Sequence, residues 1–432
     1  MDRTSGTIMQ FAICRSAENA AKPLTQALER QRLRWLRFGH DVFCYPADPA
    51  ASVNWSGLEL PGARLNVSGP GPELPRTGSV YLVTQEGRSF QRAHPDIPVL
   101  LHKGRHLLVS LDQKQLAGIA AHPARFSIEP APANGTVVET LERPAAMPRV
   151  DERIKRIVDN LSRTEFKATL TALGSMPTRH SLSDHFRRAA NDLRGQLSGF
   201  GYQASLQDVP IAGGTTLNVI AEKRGLGGGD RSVTMITAHL DSINHPHDGS
   251  PENPAAPAPG ADDNGSGSAG VIEIARVLKD MPIGHDLRLI LFGGEEQGLF
   301  GSKRYLAQLP AQERQRITSV VNMDMIAVAN TQRPSVLLEG GDQVSRPMIG
   351  ELSSAAHTYT QLTVDTSFRP HDSDHVPFID AGVPAALTIE GNDEGNENVH
   401  SANDTLNHIN YDLAMEILRM NTAFVAGRLT QE

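Results

Sequence analysis

The chain reads as α/β, with a mixed, largely parallel central sheet carrying helices on both faces and a small α+β domain ahead of it. Three observations predict this. Between residues 233 and 323, apolar runs of strand length alternate with stretches of helical period, the signature of strand-and-crossover units. Histidine and carboxylate side chains recur where those apolar runs stop. The chain has 432 residues, beyond the roughly 250–300 at which a single core stops growing, so two domains are expected.

Taken in order, residues 20–38 place Leu24, Leu28 and Leu33 among Arg30, Arg32, Arg34 and Arg37 and read as one helix with a basic, solvated face. Residues 46–77, rich in Pro, Gly, Ala and Asn, read as turns and short strands. Strand patterns follow at 79–84, 97–101, 106–110 and 125–128, with a short helix at 113–122. The Pro- and Ala-rich stretch 130–148 marks the boundary between an accessory domain, 1–148, and a catalytic domain, 149–432. Helical period returns at 153–161, 165–173 and 183–199. The last of these shows Phe186, Ala190, Leu193 and Leu197 at helical spacing, with Ser181 or Ser183 as its cap. A strand at 218–221 and a Gly-rich turn at 225–229 lead into the apolar strand 233–237. Helix 269–278, strand 287–292, helix 302–308 and strand 317–323 complete the alternation.

Bulk properties narrow the function. A hydrophobic fraction of 39% and a charged fraction of 21% are those of an ordinary globular protein. The net charge of -8 supplies no overall basic field and argues against nucleic acid as a partner. No run of about 18 apolar residues is present, which excludes a transmembrane helix. The apolar stretch of the first residues is too short for a signal peptide, so either the protein is cytoplasmic, the favoured reading, or a leader is missing from this sequence. The only cysteines, Cys14 and Cys44, precede the His- and acid-rich region. Zinc–thiolate chemistry is thereby excluded, and whether the two pair is left open.

In open sheets ligands bind outside the carboxyl ends of the strands, where His239, Glu295, Glu296 and Asp324 all fall. Imidazole and carboxylate without thiolate suit zinc, with manganese or cobalt as substitutes. Two ions roughly 3.5–4 Å apart need a shared carboxylate and about two further protein ligands each. That count assigns Asp263 as the bridge, His239 and Asp324 to one ion, and Glu296 and His400 to the other. Glu295, beside a ligand but directed away from it, is the candidate general base. Asp241 is expected to accept a hydrogen bond from the imidazole of His239 and so support catalysis, and Asp404 to do the same for His400. Singly these signals are weak: His-x-Asp is most often surface polarity, and Asp-Asp-Asn-Gly-Ser-Gly is usually a turn with Ser266 or Ser268 capping the next helix. Asp324 tells more, because a carboxylate closing the apolar run 317–323 is costly to bury without a cation. Together and in this order, the residues point to a metal.

The set Ala238-His-Leu-Asp-Ser242, Pro259-Gly-Ala-Asp-Asp-Asn-Gly-Ser-Gly267, Phe292-Gly-Gly-Glu-Glu-Gln-Gly-Leu-Phe-Gly-Ser302, Asn322-Met-Asp324, Ser373-Asp-His375 and His400-Ser-Ala-Asn-Asp-Thr405 resembles the M28 family of zinc aminopeptidases over residues 151–430. The resemblance implies the zinc exopeptidase fold, two zinc ions per chain, and a peptide or aminoacyl substrate hydrolysed at its N-terminal bond. It also implies a cis peptide bond from Asp263 to Asn264. Ser373-Asp-His375 is expected to frame the substrate pocket, with Asp374, His375, Arg369 and His371 as candidate substrate contacts. Such enzymes are often secreted or periplasmic, which sets the family against the cytoplasmic reading. The insert 245–259 reads as a rim loop, and its His245, His247 and Asp248 as loop residues rather than a further metal cluster. No cysteine follows Cys44, so the pocket disulfide of some secreted members is absent. The alternatives are a glutaminyl cyclase-like acyltransferase, a hydrolase of a specialised small-molecule amide, and a metal-free receptor-like homologue. Trp35 and Trp55, the only tryptophans, precede the catalytic region and argue against the cyclase; the retained Glu295 argues against the receptor. The oligomeric state is not specified by these residues.

Overall fold

The computed structural model describes residues 11–17, 21–48, 51, 53–58, 60–66, 79–119, 126–146, 149–229, 231–245 and 252–430. These fall into two compact units. One runs to Glu142 and takes in Asp365–Ser367; the other comprises Arg143–Val364 and the chain from Phe368.

The first unit contains strands β1 (Ala12–Ser16), β2 (Leu33–Phe38), β3 (Asp41–Pro46), β4 (Ala63–Asn66), β5 (Ser79–Gln85), β6 (Val99–Lys103), β7 (His106–Leu111), β8 (Phe126–Pro130) and β9 (Asn134–Leu141). Its helices are α1 (Ala21–Arg30), α2 (Ser89–Ala93) and α3 (Gln113–Ile119). The strands order as β9-β2-β3-β1-β4 and, separately, β6-β7-β5-β8. The single helix expected over 20–38 is corrected here. Arg32 turns the chain with φ 56°, and Leu33, Leu36 and Phe38 are buried on a strand paired antiparallel with β3. Tertiary pairing overrides a helical spacing of leucines when the same residues also suit a pleated, half-buried strand. The stretch 130–148 is likewise more than a connection, since β9 pairs parallel with β2 and buries Val137 and Val138. The expected end of the helix at 113–122 and the start of the strand at 125 lie outside the described residues.

In the second unit the elements are α4 (Glu152–Asp159), α5 (Arg163–Gly174), α6 (Asp184–Gly199), β10 (Gln203–Ile211), β11 (Gly214–Lys223), β12 (Val233–His239), α7 (Gly267–Leu278), β13 (Asp286–Phe292), α8 (Phe300–Gln308), α9 (Ala311–Arg316), β14 (Ile317–Met323), β15 (Ser335–Gly340), α10 (Arg346–Tyr359), β16 (Thr363–Ser367, of which only the first two residues belong to this unit), α11 (His375–Asp380), β17 (Ala385–Glu390) and α12 (Tyr411–Thr430). Side chains of Asp151, Ser162 and Ser183 accept from backbone N–H groups in the first turns of α4, α5 and α6, so Ser183 rather than Ser181 is the cap.

Its sheet runs β10-β11-β13-β12-β14-β17-β15. β12 pairs parallel with β13 and with β14, and β14 parallel with β17, while β11 and β15 join antiparallel on either side. The fold is thus a mixed α/β sheet with a parallel centre. Every residue of β12 is buried, as a parallel strand covered on both faces requires. One face meets Tyr305 and Leu306 of α8 and Phe378 of α11. On the other, Gly270 of α7 lies against Leu418 of α12 and Met323, with no room for a Cβ. The parallel centre brings the carboxyl ends of β12, β13 and β14 to one rim, with His239 level with Phe292.

Candidate metal centre

His239 is the last residue of β12, and Asp324 directly follows the last residue of β14. Glu295 and Glu296 come after β13 on a turn whose Gly294 takes φ 76°, a conformation that favours glycine. Asp263 lies in the irregular turn Ala261–Ser266 ahead of α7, and its peptide bond to Asn264 is cis, as the resemblance implies. His400 comes from the polar loop before α12 with φ 56°. All six are buried.

These side chains converge. His239 Nε2 stands 3.2 Å from Asp263 Oδ1 and 3.3 Å from Asp324 Oδ1. His400 Nε2 stands 3.0 Å from Asp263 Oδ2 and 3.3 Å from Glu296 Oε2. Asp263 therefore turns one oxygen to each imidazole. The ligand atoms of His239, Glu295 and Asp324 lie within 4.8 Å of one another, and so do those of Asp263, Glu296 and His400.

Hydrogen bonds fix the orientation of this set. Ser373 Oγ donates to Asp324 Oδ2 at 2.6 Å and accepts from Asn322 Nδ2 at 2.9 Å, and Asn322 Oδ1 accepts from Thr237 at 2.8 Å. Ser268, expected to cap α7, instead donates its hydroxyl to the His239 carbonyl at 2.6 Å, and Ser266 donates to the Asp262 carbonyl. Asp241 meets His239 differently from expectation. Its main-chain carbonyl is 3.1 Å from Nδ1 while its carboxylate Oδ1 is 3.6 Å away. That carboxylate instead accepts from Ser181 Oγ at 2.9 Å and faces the N–H groups of Glu295 and Glu296 at 3.4 and 3.3 Å. Asp404 is corrected more fully. It does not reach His400; its oxygens take the N–H groups of Asp262, at 3.0 and 3.2 Å, and Asp263, at 2.9 Å. In both cases backbone donors exposed by irregular turns draw the carboxylate, because a buried N–H needs an acceptor.

The pocket candidates separate. Asp374 is buried close enough to feel His239, Asp241 and Asp324, and burial pushes its carboxyl up to about 7. His375 turns to Glu339, with Nε2 3.5 Å from Oε1, and the His371 N–H donates to the same oxygen at 3.0 Å. Arg369 and His371 belong to neither ligand group. His245 donates its N–H to the His400 carbonyl at 3.0 Å, whereas His247 and Asp248 lie outside the described residues.

Sequence reasoning passed over three buried groups. Arg179 donates to main-chain carbonyls on both sides of the site. Asp262 accepts from Ala327 N–H at 2.9 Å and Asn396 Nδ2 at 3.0 Å, and burial pushes it up to about 7. Glu390, at the end of β17, lies beside it and is raised well above the ordinary carboxylate range by burial and by Asp262. The closing carboxylate of β17 was a readable signal; Arg179 offered none, because three of its four carbonyl partners lie 61, 80 and 81 residues downstream.

Electrostatics agree with a cation site. Burial works against a charge on His239, yet Asp324 and Glu295 hold its pKa well above the usual value. Burial works against Asp263 too, and His239 and His400 outweigh it and depress its pKa. Two imidazoles and three carboxylates, none of them thiolate and all withdrawn from water, form a donor set that fits divalent zinc-like ions.

Residues 218–425 match the model of peptidase family M28. The chain is 30% identical over 233 residues to aminopeptidase YwaD of Bacillus subtilis, spanning 53% of this chain and 48% of that protein. It is 32% identical over 211 residues to leupeptin-inactivating enzyme 1 of Streptomyces exfoliatus, spanning 48% and 43%. The chain thus covers less than half the length of these two relatives. Among solved structures, the LapA aminopeptidase of Legionella pneumophila shares the fold, with a TM-score of 0.58 and 18% identity over 82% of this chain and 99% of that one. The similarity to peptidase family M28 thus runs over residues 218–425, the part of the chain that carries the converging histidines and carboxylates.

Proposed function

We propose that this protein is a zinc-dependent aminopeptidase that binds two zinc ions and removes N-terminal residues from peptides. The observation that carries the reading is Asp263, whose two oxygens each face a different imidazole at 3.2 and 3.0 Å, as a carboxylate shared by two ions requires. His239 and Asp324 would hold one ion, Glu296 and His400 the other. When bound, the ions supply Lewis-acid polarisation of the scissile carbonyl and lower the pKa of the attacking water.

The chain's own residues supply the rest. Glu295, beside His239 and Asp324, accepts the proton of the attacking water and passes it to the leaving amine. Asp241 orients Glu295 and Glu296 through their N–H groups and His239 through its carbonyl. The carboxylate-rich site favours the free α-ammonium of a peptide N-terminus, which restricts cleavage to the chain end. The naming of relatives as aminopeptidases supports the same reading.

The test measures zinc content together with hydrolysis of a panel of aminoacyl-nitroanilides. Glu295→Gln is expected to keep its zinc and to lose about 100-fold or more in kcat, as removal of a positioned base does. Wild-type kcat in that variant would remove Glu295 from the role, and an inactive zinc-loaded wild type would remove the aminopeptidase reading.

A further inference from the structure

Resting on that metal-site reading, we propose that Arg179 is a positioning residue of the centre. Its guanidinium ties the segment that follows His239 to the segment that precedes Asp263, and so sets the separation between the first imidazole and the bridging carboxylate.

Arg179 lies between α5 and α6 and is 0% exposed. A guanidinium carries five donors in a planar fork. Here the fork is spent on main-chain carbonyls. Nε donates to Leu240 at 2.9 Å, one residue past His239. Nη2 donates to Gly260 at 2.8 Å, three residues before Asp263, and Nη1 to the neighbouring Pro259. Nη1 also reaches Leu173 at 3.2 Å, near the end of α5. Three chain segments distant in sequence are thereby held by one rigid, planar group.

The backbone of Arg179 repeats the connection. Its N–H donates to Ser242 Oγ at 3.0 Å, its carbonyl accepts from Ser242 N–H at 3.3 Å, and Ser242 Oγ donates to Ala258 at 2.7 Å. Gly260 has φ 53°, and a Cβ there would fall 3.0 Å from Arg179 Nη2 and overlap Ser242 and the Asp263 carbonyl. Glycine alone lets the loop come close enough to be held.

Among the described residues no carboxylate forms an ion pair with the guanidinium, and a buried charge without a close counter-ion is costly. Four carbonyls and the more distant Asp404, Asp263, Asp241 and Glu296 offset that cost. Burial lowers the pKa only to about 10, so the group is a cation at neutral pH. A clamp serving the core alone would need no charge at this place. A cation near Asp263 and Glu296 attracts these two ligand carboxylates as well as clamping the backbone around them. Lysine offers a point charge with three donors and cannot reproduce the fork.

The test uses the full chain and compares wild type with Arg179→Lys and Arg179→Met. Zinc affinity is measured by chelator competition, zinc content after dialysis, stability by thermal unfolding, and kinetics on an aminoacyl-nitroanilide. Folded Arg179→Lys is expected to bind zinc about 10-fold more weakly and Arg179→Met about 100-fold, the range that residues behind metal ligands span. The loss should fall on kcat rather than KM, and lysine should retain more than methionine. Wild-type zinc affinity in folded Arg179→Lys, with only its melting temperature lowered, would reduce Arg179 to a structural clamp and overturn the proposal. Should Arg179→Met not fold, Arg179→Lys decides alone. A wild type that binds no zinc would instead refute the metal-site reading itself, and the proposal with it.

Discussion

Asp404 shows how much of the site depends on residues that hold no ligand. Its buried carboxylate accepts from the N–H groups of Asp262 and Asp263, fixing the backbone of the bridging residue. Asp404→Ala would leave two buried donors unsatisfied at roughly 1–3 kcal/mol each, so metal-free protein should lose about 2–6 kcal/mol in urea unfolding. Asp404→Asn, which keeps one acceptor oxygen, should fall between. An alanine variant as stable as wild type would mean that water or a neighbour satisfies those donors equally well. The residue type was legible in the sequence, and so was its membership of the site; its partner was not. His-Ser-Ala-Asn-Asp suggests a carboxylate returning to His400 across one turn. Only the folded backbone reveals that the free N–H groups of the Ala261–Ser266 turn are the stronger claim on it. Asp241 does face His239, with its main-chain carbonyl nearer than its carboxylate, and backbone N–H groups claim that carboxylate in the same way.

At the scale of elements, the second unit was the more readable because its parallel strands are buried on both faces and appear as continuous apolar runs, β12 and β14 above all. In the first unit the Leu–Arg alternation of residues 24–37 satisfies helix and strand equally, and the pairing of β2 with β3 and β9 decides between them. The register of β13 offers a test of its own. Asp286, its first residue, accepts from Gly225 N–H at 2.8 Å, from Arg231 Nε at 2.8 Å, and from Arg316. Partial burial opposes the charge, but these donors outweigh it and lower the pKa below the ordinary carboxylate value. A depressed folded-state pKa contributes stability that is present above the unfolded value, roughly 3.9, and is lost as pH falls through the folded one. Asp286→Asn should therefore cost about 1–3 kcal/mol at neutral pH, with the gap to wild type closing as pH falls through the depressed folded-state value. A gap that persists unchanged as the pH is lowered would assign the loss to packing rather than to the charge.

At the scale of the whole molecule, the five proposed ligands come from five separate segments, from His239 at the end of β12 to His400 ahead of α12. No short piece of chain can assemble them, so ions that need all five bind the folded state and leave the unfolded state nearly untouched. Binding of that kind adds to stability by mass action, about 2.7 kcal/mol when free metal is 100 times its dissociation constant. The same coupling concerns local motion. The Ala261–Ser266 turn and the loop carrying His400 are held from outside by Arg179 and Asp404 and joined inside the site by Asp263. Zinc should raise the melting temperature of the second unit, a chelator should lower it, and hydrogen exchange should slow at residues 260–267 and 396–404 more than in β10 or β11. Identical melting curves with zinc and with chelator, at a metal concentration that saturates activity, would show that the ligand segments are organised by the protein alone and that the ions add chemistry without adding structure.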